Sequence, residues 1–122
     1  MYAPPMMWIA RVLASIVALE HFYFCVLECF LWTKPYGRRT FGTTPEFAAS
    51  TASMMANQGL YNAFLAAGLT LGLIRGETHV VLFVLGCVVL AGIVGAATVK
   101  PGILWLQALP AALAIGAILA TR

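Results

Sequence analysis

Four long apolar runs, separated by polar breaks, constrain this chain more than any other feature. They cover about residues 6–32, 52–74, 80–99 and 103–120. Each reaches or nears the ~20 residues that cross ~30 Å of hydrocarbon at ~1.5 Å per residue. Lipid offers the backbone no hydrogen-bond partners, so such segments satisfy themselves as helices. The first run exceeds the requirement, which calls for tilt or an interfacial extension. Composition agrees: 62% of the 122 residues are hydrophobic and 9% charged, against roughly 25% charged in a soluble domain. The expectation is an all-α membrane protein. It is a four-helix transmembrane bundle, a single domain over 1–122, with one longer interfacial loop between helices 1 and 2.

The connections set the topology. RGETH (75–79) and KPG (100–102) are tight turns, which makes helices 2 and 3, and helices 3 and 4, antiparallel neighbours. The long connection is TKPYGRRTFGTTPEF (33–47). Within it Thr43 and Glu46 have the spacing of a capping box, with Pro45 in the first turn, so a helix should begin there. Lys34, Arg38, Arg39 and Lys100 flank one membrane face; Arg11, Arg75 and Arg122 belong to the other. The excess of one basic residue puts the long loop in the cytoplasm and both termini outside. MYAPPMMW lacks the basic start of a cleavable signal, so the first helix is expected to direct insertion, into a bacterial plasma membrane. A net charge of +3 without a dense basic stripe suits lipid headgroups as partners and argues against nucleic acid.

Small residues recur every four positions: Gly59, Ala63 and Ala67; Gly68 and Gly72; Ala91 and Gly95; Gly92 and Ala96. They permit close backbone approach between membrane helices. Pro110 should kink the fourth helix and free a carbonyl near Leu106. Cys25, Cys29 and Cys87 form no CxxC motif and read best as packing residues.

The stretch EHFYFCVLECFLW (20–32) places Glu20, His21 and Glu28 in an apolar helix. At 100° per residue from His21, Cys25 falls at about 40°, Glu28 at about −20° and Trp32 at about 20°. These share a face, and Glu20 lies off it at about −100°. His21 and Glu28 are ~10 Å apart along the axis, too far to bond each other but close enough to touch one molecule between them. A buried charged carboxylate costs at least ~2.5 kcal/mol, so Glu28 should face a partner or carry a proton. The second helix supplies Asn57, Gln58, Tyr61 and Asn62. If Trp32 and Asn57 lie near one membrane face, Tyr61 and Asn62 come level with Glu28. Gln107 of the fourth helix comes to a similar depth, and Thr98 comes level with Asn57. Such a network can be purely structural, at ~0.6 kcal/mol per contact. The residues assemble no metal motif: His21 has only His79 as a second histidine, in a turn on the opposite face. Glu20 has three candidate settings: a neighbouring helix, snorkelling, or Arg11.

HFYFCVLECFLW, the FG at 41–42, NQGLYNAFLAAGL, GCVVLAGIVGAAT and QALPAALA resemble the motif blocks of the DUF1304 family, small integral membrane proteins of uncharacterised function. The resemblance covers about residues 7–120, and a more distant similarity links the family to DoxX-like membrane proteins. It implies four membrane helices and marks His21, Glu28, Trp32, Asn57, Gln58, Tyr61, Asn62, Cys87 and Gln107 as motif positions. It implies no catalytic residue and no cofactor.

Three functions remain open. The favoured one is a site for a small lipophilic molecule such as an isoprenoid, quinone or lipid. There Glu28, with His21, performs acid/base chemistry of the isomerase kind, and Trp32, Asn57, Gln58, Tyr61, Asn62 and Gln107 bind the ligand. The others are small-solute or proton transport by a homo-oligomer, and an accessory subunit docked on a larger membrane complex. Whether the chain is an enzyme, and with which cofactor, is not written in these residues.

Overall fold

The computed structural model describes residues 6–121. Among them every regular element is helical: α1 Trp8–Cys29, α2 Pro35–Phe41, α3 Pro45–Arg75, α4 Thr78–Thr98, a π-helical turn Leu104–Ala108, and α5 Leu109–Ala120. Two of these, α1 with 22 residues and α4 with 21, are long and apolar enough to cross a membrane. The second expected span lies inside α3, where Asn57, Gln58 and Asn62 dilute the apolar character. The fourth forms a shorter apolar helix, Leu104–Ala120.

Local chemistry explains the boundaries. α1 stops at Cys29, before Trp32, because the chain must reach Lys34–Pro35 in an extended conformation; Lys34 sits at φ −85°, ψ 159°. The residue before proline is driven out of helical space, and Pro35 then suits the first turn of α2. α2 occupies ground expected to be loop, and it ends at Gly42 with φ 67°. The expected capping box at Thr43 and Glu46 does not form. The cap is Thr44, whose Oγ1 accepts from the Phe47 amide at 3.1 Å and whose carbonyl accepts from Ala48 at 3.0 Å. Pro45 at the first helical position fixes this register, one residue later than the box requires.

The α3–α4 turn is as short as expected. Gly76 adopts φ 66°, and the Glu77 and Gly76 amides bond to the Gly72 and Leu73 carbonyls at 2.9 and 3.3 Å. This is a Schellman closure, in which the left-handed position favours glycine. Pro110 disturbs its helix in a particular way. The turn before it widens to π geometry over Leu104–Ala108, and the Leu109 amide reaches back to the Leu104 carbonyl. A π turn is one of the ordinary ways a helix absorbs an interruption.

The chain divides into two compact units, Leu19–Ala66 and the remainder. In the unit built from the terminal segments, small residues set the packing. A Cβ at Gly92 would lie 2.7 Å from the Ala108 amide nitrogen, and one at Gly72 would lie 2.9 Å from a Val81 methyl. α4 buries Val81, Val84, Leu85 and Val88 while Phe83, Leu90, Ile93 and Val94 point outward. A helix apolar on every side suits an apolar solvent. In the Leu19–Ala66 unit the corresponding contact is Gly59 against Cys29 and Glu28, with a hypothetical Cβ 3.0 Å from the Glu28 Cβ.

Candidate functional site

The Leu19–Ala66 unit carries the polar chemistry. Glu28 lies in the last turn of α1 and is 9% exposed. Asn62 of α3, 6% exposed, donates its amide to Glu28 Oε1 at 2.5 Å. The contact depends on Gly59, three residues before Asn62, where the missing side chain lets the backbone of α3 approach that of α1. A carboxyl out of water gains most from a donor already held in place, and a helix-borne amide three residues from a close crossing is such a donor.

His21 is fully buried, two turns deeper along α1, with Phe24 edge-on at a centroid distance of 5.2 Å. Glu20 Oε1 stands 4.0 Å from His21 Nδ1 and, though buried, makes no hydrogen bond. The Arg11 guanidinium donates to the Leu73 carbonyl at 3.0 Å, at the end of α3, where the negative end of the helix dipole attracts a cation.

The other expected ligand residues are arranged differently from the sequence reading. Helical spacing carried on through residue 32 puts Trp32 on the Glu28 face. The helix ends three residues earlier, and the buried Trp32 indole donates to Thr51 Oγ1 at 2.9 Å while packing on Phe41 at 4.9 Å. Trp32 therefore holds the α1–α2 turn against α3. Asn57, Gln58 and Tyr61 are exposed on the outside of α3, with Tyr61 edge-on to Phe64 at 6.0 Å. Gln107 lies half-buried in the π-helical turn of the other unit. Of the eight residues, the structure brings together Glu28 and Asn62.

Several contacts went unseen in the sequence. Thr51 passes the Trp32 bond on, donating to the Phe47 carbonyl at 2.8 Å. The hydroxyls of Tyr23 and Tyr36 are hydrogen-bonded between α1 and α2. Cys29 Sγ donates to the Ala56 carbonyl at 3.3 Å. A threonine on a helix facing a tryptophan is a signal that can be sought, but only once the turn at 30–34 is known.

The DUF1304 family profile, whose description is a protein of unknown function, matches residues 15–119. The chain belongs to that family. The DUF1304 match takes in Glu28, Asn62 and every other residue considered for the site. No curated protein and no solved structure matches the chain.

Proposed function

We propose that this DUF1304 protein spans the membrane four times and binds the polar end of a lipophilic molecule at Glu28 and Asn62, with Glu28 as proton donor or acceptor. α3 and the Leu104–Ala120 helix complete the four spans beside α1 and α4. The observation that carries the reading is the Glu28 carboxyl, 9% exposed and held by a side-chain donor from a second helix. A packing network has no need of an ionisable group at such cost, whereas proton transfer does. The position in the last turn of α1 puts the carboxyl near the end of its span. A headgroup-like or carbonyl end of a ligand can reach it there while an apolar body stays in lipid.

A second reading has its own support. Asn57, Gln58 and Tyr61 form an outward polar face on an otherwise apolar surface. In lipid such a face is best covered by another helix, so assembly with a second copy or a larger complex is compatible with ligand binding.

Native mass spectrometry of protein extracted gently from its own membrane tests both readings. The expected result is an organic adduct on the wild type that is lost in Glu28→Gln. The same spectra give the assembly mass. An adduct kept unchanged by Glu28→Gln, or a bare wild-type protein, rejects the ligand reading.

A further inference from the structure

The outward face of α3 within the Leu19–Ala66 unit combines polar groups with a regular spacing. Met54, Asn57, Tyr61 and Phe64 are exposed and follow one another by steps of three, four and three residues. At 100° per residue they fall within an arc of about 80°, and Gln58 flanks them. Gly59 and Asn62, which meet α1, lie on the other side of the helix. Alternating steps of three and four are the spacing by which one helix seats its side chains between those of a neighbour.

The amides on this face are unfilled. Asn57 and Gln58 each carry an NH2 donor and a carbonyl acceptor, and among the described residues neither side chain has a hydrogen-bond partner. In the four-span arrangement Asn57 lies about a turn and a half inside the span that begins near residue 52. Hydrocarbon there supplies no donor and no acceptor, so each unpaired amide carries a desolvation cost. Whatever covers this face has to donate and accept at the same depth.

A carboxamide is its own complement, since the NH2 of one can donate to the oxygen of another and accept in return. Symmetry supplies the alignment. Copies inserted with one orientation are related by an axis along the membrane normal, which makes their α3 helices parallel and sets every residue level with its own counterpart. Asn57 then meets Asn57 of a second copy, and the Tyr61 and Phe64 rings pack in the layers that follow. A lone asparagine in an apolar seam also fixes register and the number of strands. An unrelated subunit would need the same polar pattern at the same depth; a second copy has it by construction. Building on the four-span and assembly readings above, we propose that this face is a two-fold interface, in which α3 pairs in parallel with α3 of a second copy around Asn57.

The test introduces single cysteines into the full-length, cysteine-free protein and oxidises them in native membranes. With Asn57 intact, Met54→Cys, Tyr61→Cys and Phe64→Cys should give disulfide-linked dimers. Ala56→Cys and Ala63→Cys, about 120–140° from the centre of the seam, should stay monomeric. In detergent, Asn57→Ala should weaken the dimer about tenfold through its lost interhelical hydrogen bonds, and Asn57→Gln, which keeps a carboxamide, should hold it. Thermal unfolding checks each variant, and the assembly mass of the wild type serves where the cysteine-free protein fails to fold. Glu28→Gln should leave the crosslinks unchanged, which separates the interface from the lipophilic-ligand reading. Whether α3 crosses the membrane at all is read independently, from the side on which Glu77→Cys is labelled. A monomeric wild-type mass, equal crosslinking at all five positions, or crosslinks from Met54→Cys to a different protein overturns the proposal.

Discussion

The two units of the molecule are joined internally by different means. In the terminal unit the close contacts are apolar and backbone-deep, with Gly92 against Ala108 and Gly72 against Val81. In the Leu19–Ala66 unit, side-chain hydrogen bonds connect the elements: Asn62 to Glu28, Trp32 to Thr51, and Tyr23 with Tyr36. The first arrangement leaves no room for a side chain at Gly92 or Gly72 without something shifting. The second joins its helices through polar side chains, one of them the ionisable Glu28.

The sharpest way to break this contrast is steric. Gly92→Leu should destabilise the protein by about 3 kcal/mol or more, read as a lowered unfolding midpoint in detergent, because the backbone of Ala108 cannot give way as a flexible side chain can. Glu28→Ala comes next. It leaves the Asn62 amide buried without a partner and should cost about 1–3 kcal/mol in the same assay, whereas Glu28→Gln, which keeps an acceptor oxygen, should cost clearly less. Trp32→Phe removes the indole donor but keeps a ring against Phe41 and should cost about 1 kcal/mol. The smallest effects distinguish two neighbouring threonines. Thr44→Ala should cost about 1 kcal/mol through loss of the α3 cap. Thr43→Val should be neutral or slightly stabilising, since the Thr43 hydroxyl is buried without a partner. Equal effects at the two positions would contradict the assigned cap.

What the sequence reveals follows from which physics is local. Apolar length and the Gly76 turn are local, and α1, α4 and the α3–α4 connection appear within a few residues of expectation. Counting turns from opposite ends of two antiparallel helices brought Asn62 level with Glu28, and the structure joins them. The failures come from properties that spacing does not contain. Helical spacing gives Trp32 an angle on α1, but the Lys34–Pro35 step ends the helix first. Polarity points Asn57, Gln58 and Tyr61 inward, because polar residues mark the inside of a membrane protein as they mark the outside of a water-soluble one. When both the core and the surroundings are apolar, hydrophobic periodicity loses its power to say which face is buried. The structure turns these three outward, and the crossing at Gly59 selects Asn62 as the residue that meets α1.

Asn62 and Glu28 lie within the bilayer and on the long-loop side only if α3 crosses the membrane. Substituted-cysteine labelling with a membrane-impermeant maleimide tests this directly, in a cysteine-free background with Thr40→Cys, Glu77→Cys or Lys100→Cys. Four spans predict that positions 40 and 100 react from one side of sealed vesicles and position 77 from the other. Labelling of positions 40 and 77 from the same side would mean that α3 does not cross, and would contradict the four-span account and the membrane-embedded site together.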